Sequence, residues 1–171
     1  MFINESGMQF GDYPDNHVFY IEKSEEYNRI KDDGVKIVEF ILLNDSKLLL
    51  VEAKTSAPNP QSKDTPERFG EYISDIAEKM RNSLDLYLYQ LSLKGLSEEL
   101  IEADYHGISI VCVLVIKNQR KEWIAPVQEA LSKEILKHIR MSIIWKCQVI
   151  VINEEQAVRH KLVQRTPEEN L

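Results

Sequence analysis

The stretch from Val35 to Thr55 constrains this chain more than any other. It reads VKIVEFILL, then Asn44-Asp45-Ser46, then KLLLVEAKT. Two apolar runs joined by a short polar loop predict a β-hairpin over 35–43 and 47–55. With a two-residue period, Val35, Ile37, Glu39 and Ile41 share one face of the first strand. Leu48, Leu50, Glu52 and Lys54 share one face of the second. Both faces of both strands are largely apolar, the pattern of strands covered on two sides. A chain with such strands must supply further elements to cover them.

The downstream sequence does so. The loop SAPNPQSKD (56–64) leads to Thr65-Pro66-Glu67, a helix start with a hydroxyl cap, proline in the first turn and an early acid. Phe69, Ile73, Ile76, Met80, Leu84, Tyr87 and Leu91 then recur at steps of three and four. This predicts one amphipathic helix of about seven turns, closed by Lys94-Gly95 with the glycine just past its end. GISIVCVLVIK (107–117) predicts a buried central strand. Ala125-Pro126 opens a second helix with Val127, Leu131, Ile135, Ile139 and Ile143 along its inner stripe. KCQVIVIN (146–153) predicts another strand, Glu154 to Val163 a last helix, and 164–171, ending in RTPEENL, a frayed tail.

Residues 1–30 carry the least defined pattern, with a short strand expected at His17–Ile21, a helical turn in SEEYNRI, and a turn at KDDG. Together these elements predict an α/β fold, a mixed central β-sheet flanked by helices, in one domain spanning 1–171. An antiparallel hairpin feeds βαβ units with right-handed crossovers.

Composition narrows the function classes. The 171 residues hold 21 Lys and Arg against 28 Asp and Glu, a net charge of −7. That excludes coating of nucleic acid by bulk electrostatics but leaves room for a local phosphate-facing patch. Cys112 and Cys147 are too few for a disulfide framework and sit in apolar runs, as buried reduced thiols do. No stretch reaches the roughly 20 apolar residues of a membrane span, and MFINESGMQF is no signal peptide, so a cytoplasmic location is expected.

One constellation stands above this background. Glu52 and Lys54 lie two apart near the end of an apolar strand, so both point to one face, about 7 Å apart along the chain. Counting back from the Asn44–Ser46 loop, Glu39 pairs near Leu50–Glu52. Two carboxylates brought together inside a sheet repel one another unless one is protonated, a lysine offsets them, or a divalent cation lies between them. Oxygen ligands suit Mg²⁺ or Mn²⁺, and no His/Cys cluster competes. The plain alternative is a solvated salt-bridging strand end, because E-x-K is a short pattern.

Other features are weaker. Lys117, Arg120 and Lys121 form a small basic loop, read as solvated before it is read as phosphate-binding. Tyr87 fits the core stripe and Tyr89 the surface; Trp123 and Trp145 read as packing anchors. His17, His106, His138 and His160 are in no ligand spacing. There is no Gly-rich phosphate loop, G-x-S-x-G or C-x-x-C.

With an acid on one strand and E-x-K on the next, VEFILLNDSKLLLVEAKTS resembles the PD-(D/E)XK nuclease superfamily, the restriction-endonuclease-like fold. The resemblance implies an α-β-β-β-α-β core laid over 17–117 and a Mg²⁺- or Mn²⁺-dependent nuclease acting on DNA. It assigns Glu39 and Glu52 as metal ligands, the Ala53 backbone carbonyl as a third, and Lys54 with Glu52 as the catalytic pair. Glu39 stands where the family usually has Asp. Glu22 and Glu25 are the acids available for the family's N-terminal helix. The family's Gln-x-x-x-Tyr pattern is absent, since Lys94 follows Gln90 at that spacing. Few base-reading features are present, so specificity would call for a homodimer or a larger protein partner. Two rivals remain at this point: a non-catalytic binding or assembly module of the same fold, and an unrelated α/β protein with a coincidental E-x-K.

Overall fold

Strand order follows from where the apolar runs lie. In the computed structural model, which describes residues 1–165, the most apolar strands sit in the middle of one five-stranded sheet. The strands are β3 (Val18–Phe19), β4 (Phe40–Asn44), β5 (Lys47–Lys54), β6 (Ser109–Ile116) and β7 (Gln148–Asn153), and they neighbour one another in that order. β3, β4 and β5 run antiparallel in turn, while β5–β6 and β6–β7 are parallel. The mixed α/β sheet flanked by helices is therefore as expected. A separate hairpin, β1 (Ile3–Glu5) and β2 (Met8–Phe10), turns at Ser6-Gly7, both at positive φ (51° and 73°).

Period-two alternation divides the sheet into two cores. On one face Ile41, Leu48, Leu50, Cys112 and Leu114 pack under α2 (Pro66–Ser92) and α4 (Lys121–Leu136). On the other, Phe40, Leu49, Val51, Val113 and Val115 meet Ile3 and Phe10 of the β1–β2 hairpin, Ala157 of α5 (Glu154–Arg159), Leu162 and Val163. Two short helices, α1 (Glu25–Ile30) and α3 (Glu98–Ile101), complete the chain's elements. Among the described residues no helix is long and apolar enough to cross a membrane. Both cysteines are free and buried.

Several expectations are corrected. Residues 35–38 are not strand: the Val38 amide donates to the Ser83 hydroxyl (2.8 Å) and Asn82 donates to the Lys36 carbonyl (2.9 Å). Side chains of α2 thus take the hydrogen bonds that a strand partner would have taken, and the ladder resumes only where the Glu39 amide donates to Val51 (3.1 Å). α2 ends at Ser92, and it is Lys94, not Gly95, that adopts the left-handed conformation (φ 56°). α4 starts four residues before Ala125, so Pro126 lies inside it. Beyond Leu136 the chain enters a π-helical turn (Arg140–Ile144). The α-helix already breaks at 137–138, ahead of this turn, so the stripe loses its phase: Met141 faces the core while Ile139 and Ile143 are 69% and 64% exposed.

The expected last helix stops at Arg159. Leu162 and Val163 instead close the second core, and Gln164 donates to the Gln9 carbonyl at 2.7 Å. Of the tail expected over 164–171, Gln164 is therefore fixed, and 166–171 lie outside the described residues. The strand expected at His17–Ile21 shrinks to Val18–Phe19.

This division between inner and outer isoleucines is directly testable. Ile135→Ala, at the buried end of the stripe, should lower urea-unfolding stability by about 2–5 kcal/mol, whereas Ile139→Ala should change it by no more than about 0.5 kcal/mol. Equal losses would contradict the rotation of the stripe after Leu136.

Candidate functional site

The site forms where β5 runs out and β4 begins. The β4–β5 register pairs Phe40 with Val51 and Ile41 with Leu50, which sets Glu39 opposite Glu52. Glu52 is fully buried on the face covered by α2 and α4. Its Oε1 accepts a hydrogen bond from Lys79 Nζ of α2 at 2.8 Å and forms an ion pair with Lys54 Nζ at 2.9 Å. Its Oε2 is buried and has no hydrogen-bond partner. The register thus sets Glu39 across from Glu52, and Lys54 reaches Glu52. Lys79 was not foreseen, although it lies three residues after Ile76 and one before Met80, both fully buried.

Two further acids converge from the N-terminal region. Glu5, at the end of β1, and Glu22, in the 3₁₀ turn Ile21–Lys23, each place a carboxylate oxygen within 4.8 Å of one another and of Glu39. Glu22 was one of two acids considered; the other, Glu25, is exposed and pairs with Arg29 at 3.9 Å. Glu5 was missed. Its signal was legible, because Ser6-Gly7 between INE and MQF is a turn dipeptide flanked by short alternating runs.

The hairpin turn is tied to the same end of the sheet. Tyr20 donates its hydroxyl to Glu5 (2.6 Å), and Lys117 Nζ donates to the Gly7 carbonyl (2.7 Å). Ser6 Oγ donates to the Ala53 carbonyl at 3.0 Å. That carbonyl lies on the same flank of β5 as the Val51 carbonyl bonded to Glu39, but it already has a donor. Of the basic loop, Lys117 is spent on the hairpin, Arg120 lies over the Trp123 ring (5.0 Å), and Lys121 pairs with Glu155 (3.5 Å). Tyr87 is buried and bonded to Tyr105 (2.6 Å), and Tyr89 is 55% exposed.

Electrostatics follow from this crowding. Burial, then the charges of Glu52, Glu5 and Glu22, push the Glu39 carboxyl up to about 8. Burial and Glu5 also raise Glu22. For Lys79 burial disfavours the ammonium, yet Glu52 and Glu39 outweigh it and its affinity for the proton rises. Tyr72 of α2 has a buried hydroxyl without a partner, and burial followed by the Glu52 charge raises it. Four carboxylates thus face two ammonium groups, with one buried carboxylate oxygen unpaired. Of these, Glu5, Glu22 and Glu39 lie close enough together to hold a hard divalent cation, which would relieve the same repulsion that a proton on Glu39 relieves, and Glu52 stands outside that trio. Comparison of the chain with protein-family models, with curated proteins and with solved structures gives no match.

The raised Glu39 has a consequence for stability. Between about pH 4.5 and 8 the folded chain keeps a proton on Glu39 that the unfolded chain has released. Raising pH across that window therefore costs folding free energy, and the loss is complete above about 8. In EDTA, urea midpoints at pH 5 and pH 8 should fall further for the native chain than for Glu39→Gln. An equal fall in both would mean that Glu39 titrates like a solvated acid.

Proposed function

We propose that this chain is a divalent-cation-dependent phosphodiester hydrolase acting on DNA, built on a restriction-endonuclease-like core. The observation that carries the reading is the pairing of Glu39 with Glu52 across β4–β5, on one face, with Lys54 at 2.9 Å from Glu52. The succession of an antiparallel β4–β5 pair, the long α2 and a parallel β6 supports the same architecture. The order departs from it: over 17–117 it is β-α-β-β-α-α-β, because β3 precedes α1 and the short α3 follows α2. The antiparallel β3–β4–β5 ladder is nonetheless that of three strands followed by a helix and a parallel strand.

Glu39 and Glu52 would hold Mg²⁺ or Mn²⁺, with Glu22 and Glu5 within reach. The Ala53 carbonyl joins them only if it shares its lone pairs with the Ser6 hydroxyl. A bound cation supplies Lewis acidity and a more acidic water. The chain's own part is positional. Glu52 offers an unpaired Oε2 as an acceptor for a water proton. Lys54 orients that water or offsets charge that builds on the phosphate as the P–O bond to the leaving 3′ oxygen breaks. Sequence choice would come from a second copy of the chain or a larger protein partner.

A second reading, a binding or assembly module of the same fold without catalysis, is favoured by two contacts. Ser6 caps Ala53, and two lysines share Glu52 Oε1. In that case the acids serve to fix β5 against α2.

Calorimetry separates the two. Mn²⁺ should bind the native chain and bind Glu39→Gln and Glu52→Gln at least about tenfold more weakly. Plasmid nicking should then fall on the order of 10²-fold or more in Lys54→Ala with the fold intact by circular dichroism. Cation binding without nicking selects the module, and undiminished nicking in Lys54→Ala removes Lys54 from the chemistry.

A further inference from the structure

A fully buried carboxylate needs a nearby positive charge, and Glu52 has two. Lys79 and Lys54 meet on the same oxygen, at 2.8 and 2.9 Å. Two ammonium groups on one atom repel each other, and a single one is enough to compensate the carboxylate. Their settings differ. Lys79 comes down from the middle of α2, between the fully buried Ile76 and Met80, and its side chain is 17% exposed. Lys54 is the last residue of β5, its side chain is 29% exposed, and an irregular loop follows it. Residues two apart on a strand are separated by about 7 Å, so the Lys54 amine must fold back along its own strand to touch Glu52.

We infer that Lys79 is a positioning residue, the resident counter-ion of Glu52, and that its presence leaves Lys54 free to move to a substrate phosphate or water. The inference rests on the hydrolase reading for what Lys54 does after release, but not for the division of labour itself. Without Lys79, moving Lys54 away would strand a charge in the apolar core, and the amine would stay on Glu52. With Lys79 in place, Lys54 can leave while Glu52 remains compensated. Lys79 thereby also fixes Oε1, which leaves Oε2 as the oxygen available to a ligand.

Brief acetylation of the full chain, read lysine by lysine by peptide mass spectrometry, tests this. In the native chain Lys54 should react several-fold faster than Lys79. Lys79→Met should slow Lys54 about tenfold, because Lys54 becomes the sole partner of a buried charge. Lys79→Arg should leave Lys54 at its native rate, and Lys54→Met should leave Lys79 as protected as before. In nicking assays Lys79→Met should lower kcat with KM little changed, and Lys79→Arg should restore it.

An unchanged Lys54 rate in folded Lys79→Met overturns the assignment, as does a native chain in which Lys79 reacts as fast as Lys54. Should Lys79→Met not fold by circular dichroism, the native, Lys79→Arg and Lys54→Met rates decide alone. Loss of Lys79 protection in Lys54→Met then overturns it. Absence of Mn²⁺ binding by the native chain would defeat the hydrolase reading, while the labelling pattern would still stand or fall by itself.

Discussion

Glu52 is a fully buried charge near the end of β5, following Leu48 and Leu50 on the same strand face. Its compensation by Lys79 ties α2 to β5 at a fixed point along the helix. Its position opposite Glu39 brings a second acid into the same space, and the Glu39 amide keeps the β4–β5 ladder running one residue beyond β4. A buried ion pair of this kind is a poor source of stability, since well-packed apolar side chains of similar volume do as well or better. Leu48 and Leu50 precede Glu52 on the same face, and apolar side chains replacing Glu52 and Lys79 together would continue them.

The sheet was legible because its signals are local and redundant. β5, β6 and α2 are each specified by more residues than the minimum, and neighbouring contacts agree with the period of the sequence. Errors arose where a tertiary contact outcompeted the local pattern. Residues 35–38 are apolar enough for a strand, but Ser83 and Asn82 reach their backbone first. The stripe Ile135–Ile139–Ile143 is regular in sequence, but the helix breaks after Leu136 and resumes as a π-helical turn, and Met141 takes the inner place. Pro126 reads as a helix start, yet the preceding turn already satisfies helical geometry from Lys121.

The site was legible in the same proportion. Glu39, Glu52 and Lys54 lie close together in sequence on a hairpin whose loop fixes the register, so counting suffices to bring them together. Lys79 and Glu5 come from 27 and 47 residues away from Glu52, and no periodicity links a helix position or a separate hairpin to a given strand residue. Lys79 did carry one hint: it falls within the buried sector of an amphipathic helix, where a lysine requires a partner. Glu5 owes its place to the Ser6-Gly7 turn, whose docking through Ser6 and Lys117 depends on Ala53 and Gly7 carbonyls that no side-chain pattern reports.

The charge balance of the site sets what can approach it. A nucleic acid brings a dense row of negative phosphates, and the chain as a whole carries −7. Near β5 the clustered Glu5, Glu22 and Glu39 and the buried Glu52 face two ammonium groups, Lys54 and Lys79, both engaged with Glu52. A phosphodiester entering such a site meets net repulsion unless positive charge enters with it. A proton on Glu39 lessens that repulsion but leaves nothing to polarise the phosphate or acidify a water. A divalent cation does both, and it acts where the low exposure of Glu39 and Glu52 makes each charge count for more than it would in water. On this electrostatic ground the proposed hydrolase calls for a bound cation, and Lys54 is the amine beside Glu52 that could turn to the substrate while Lys79 stays on the carboxylate.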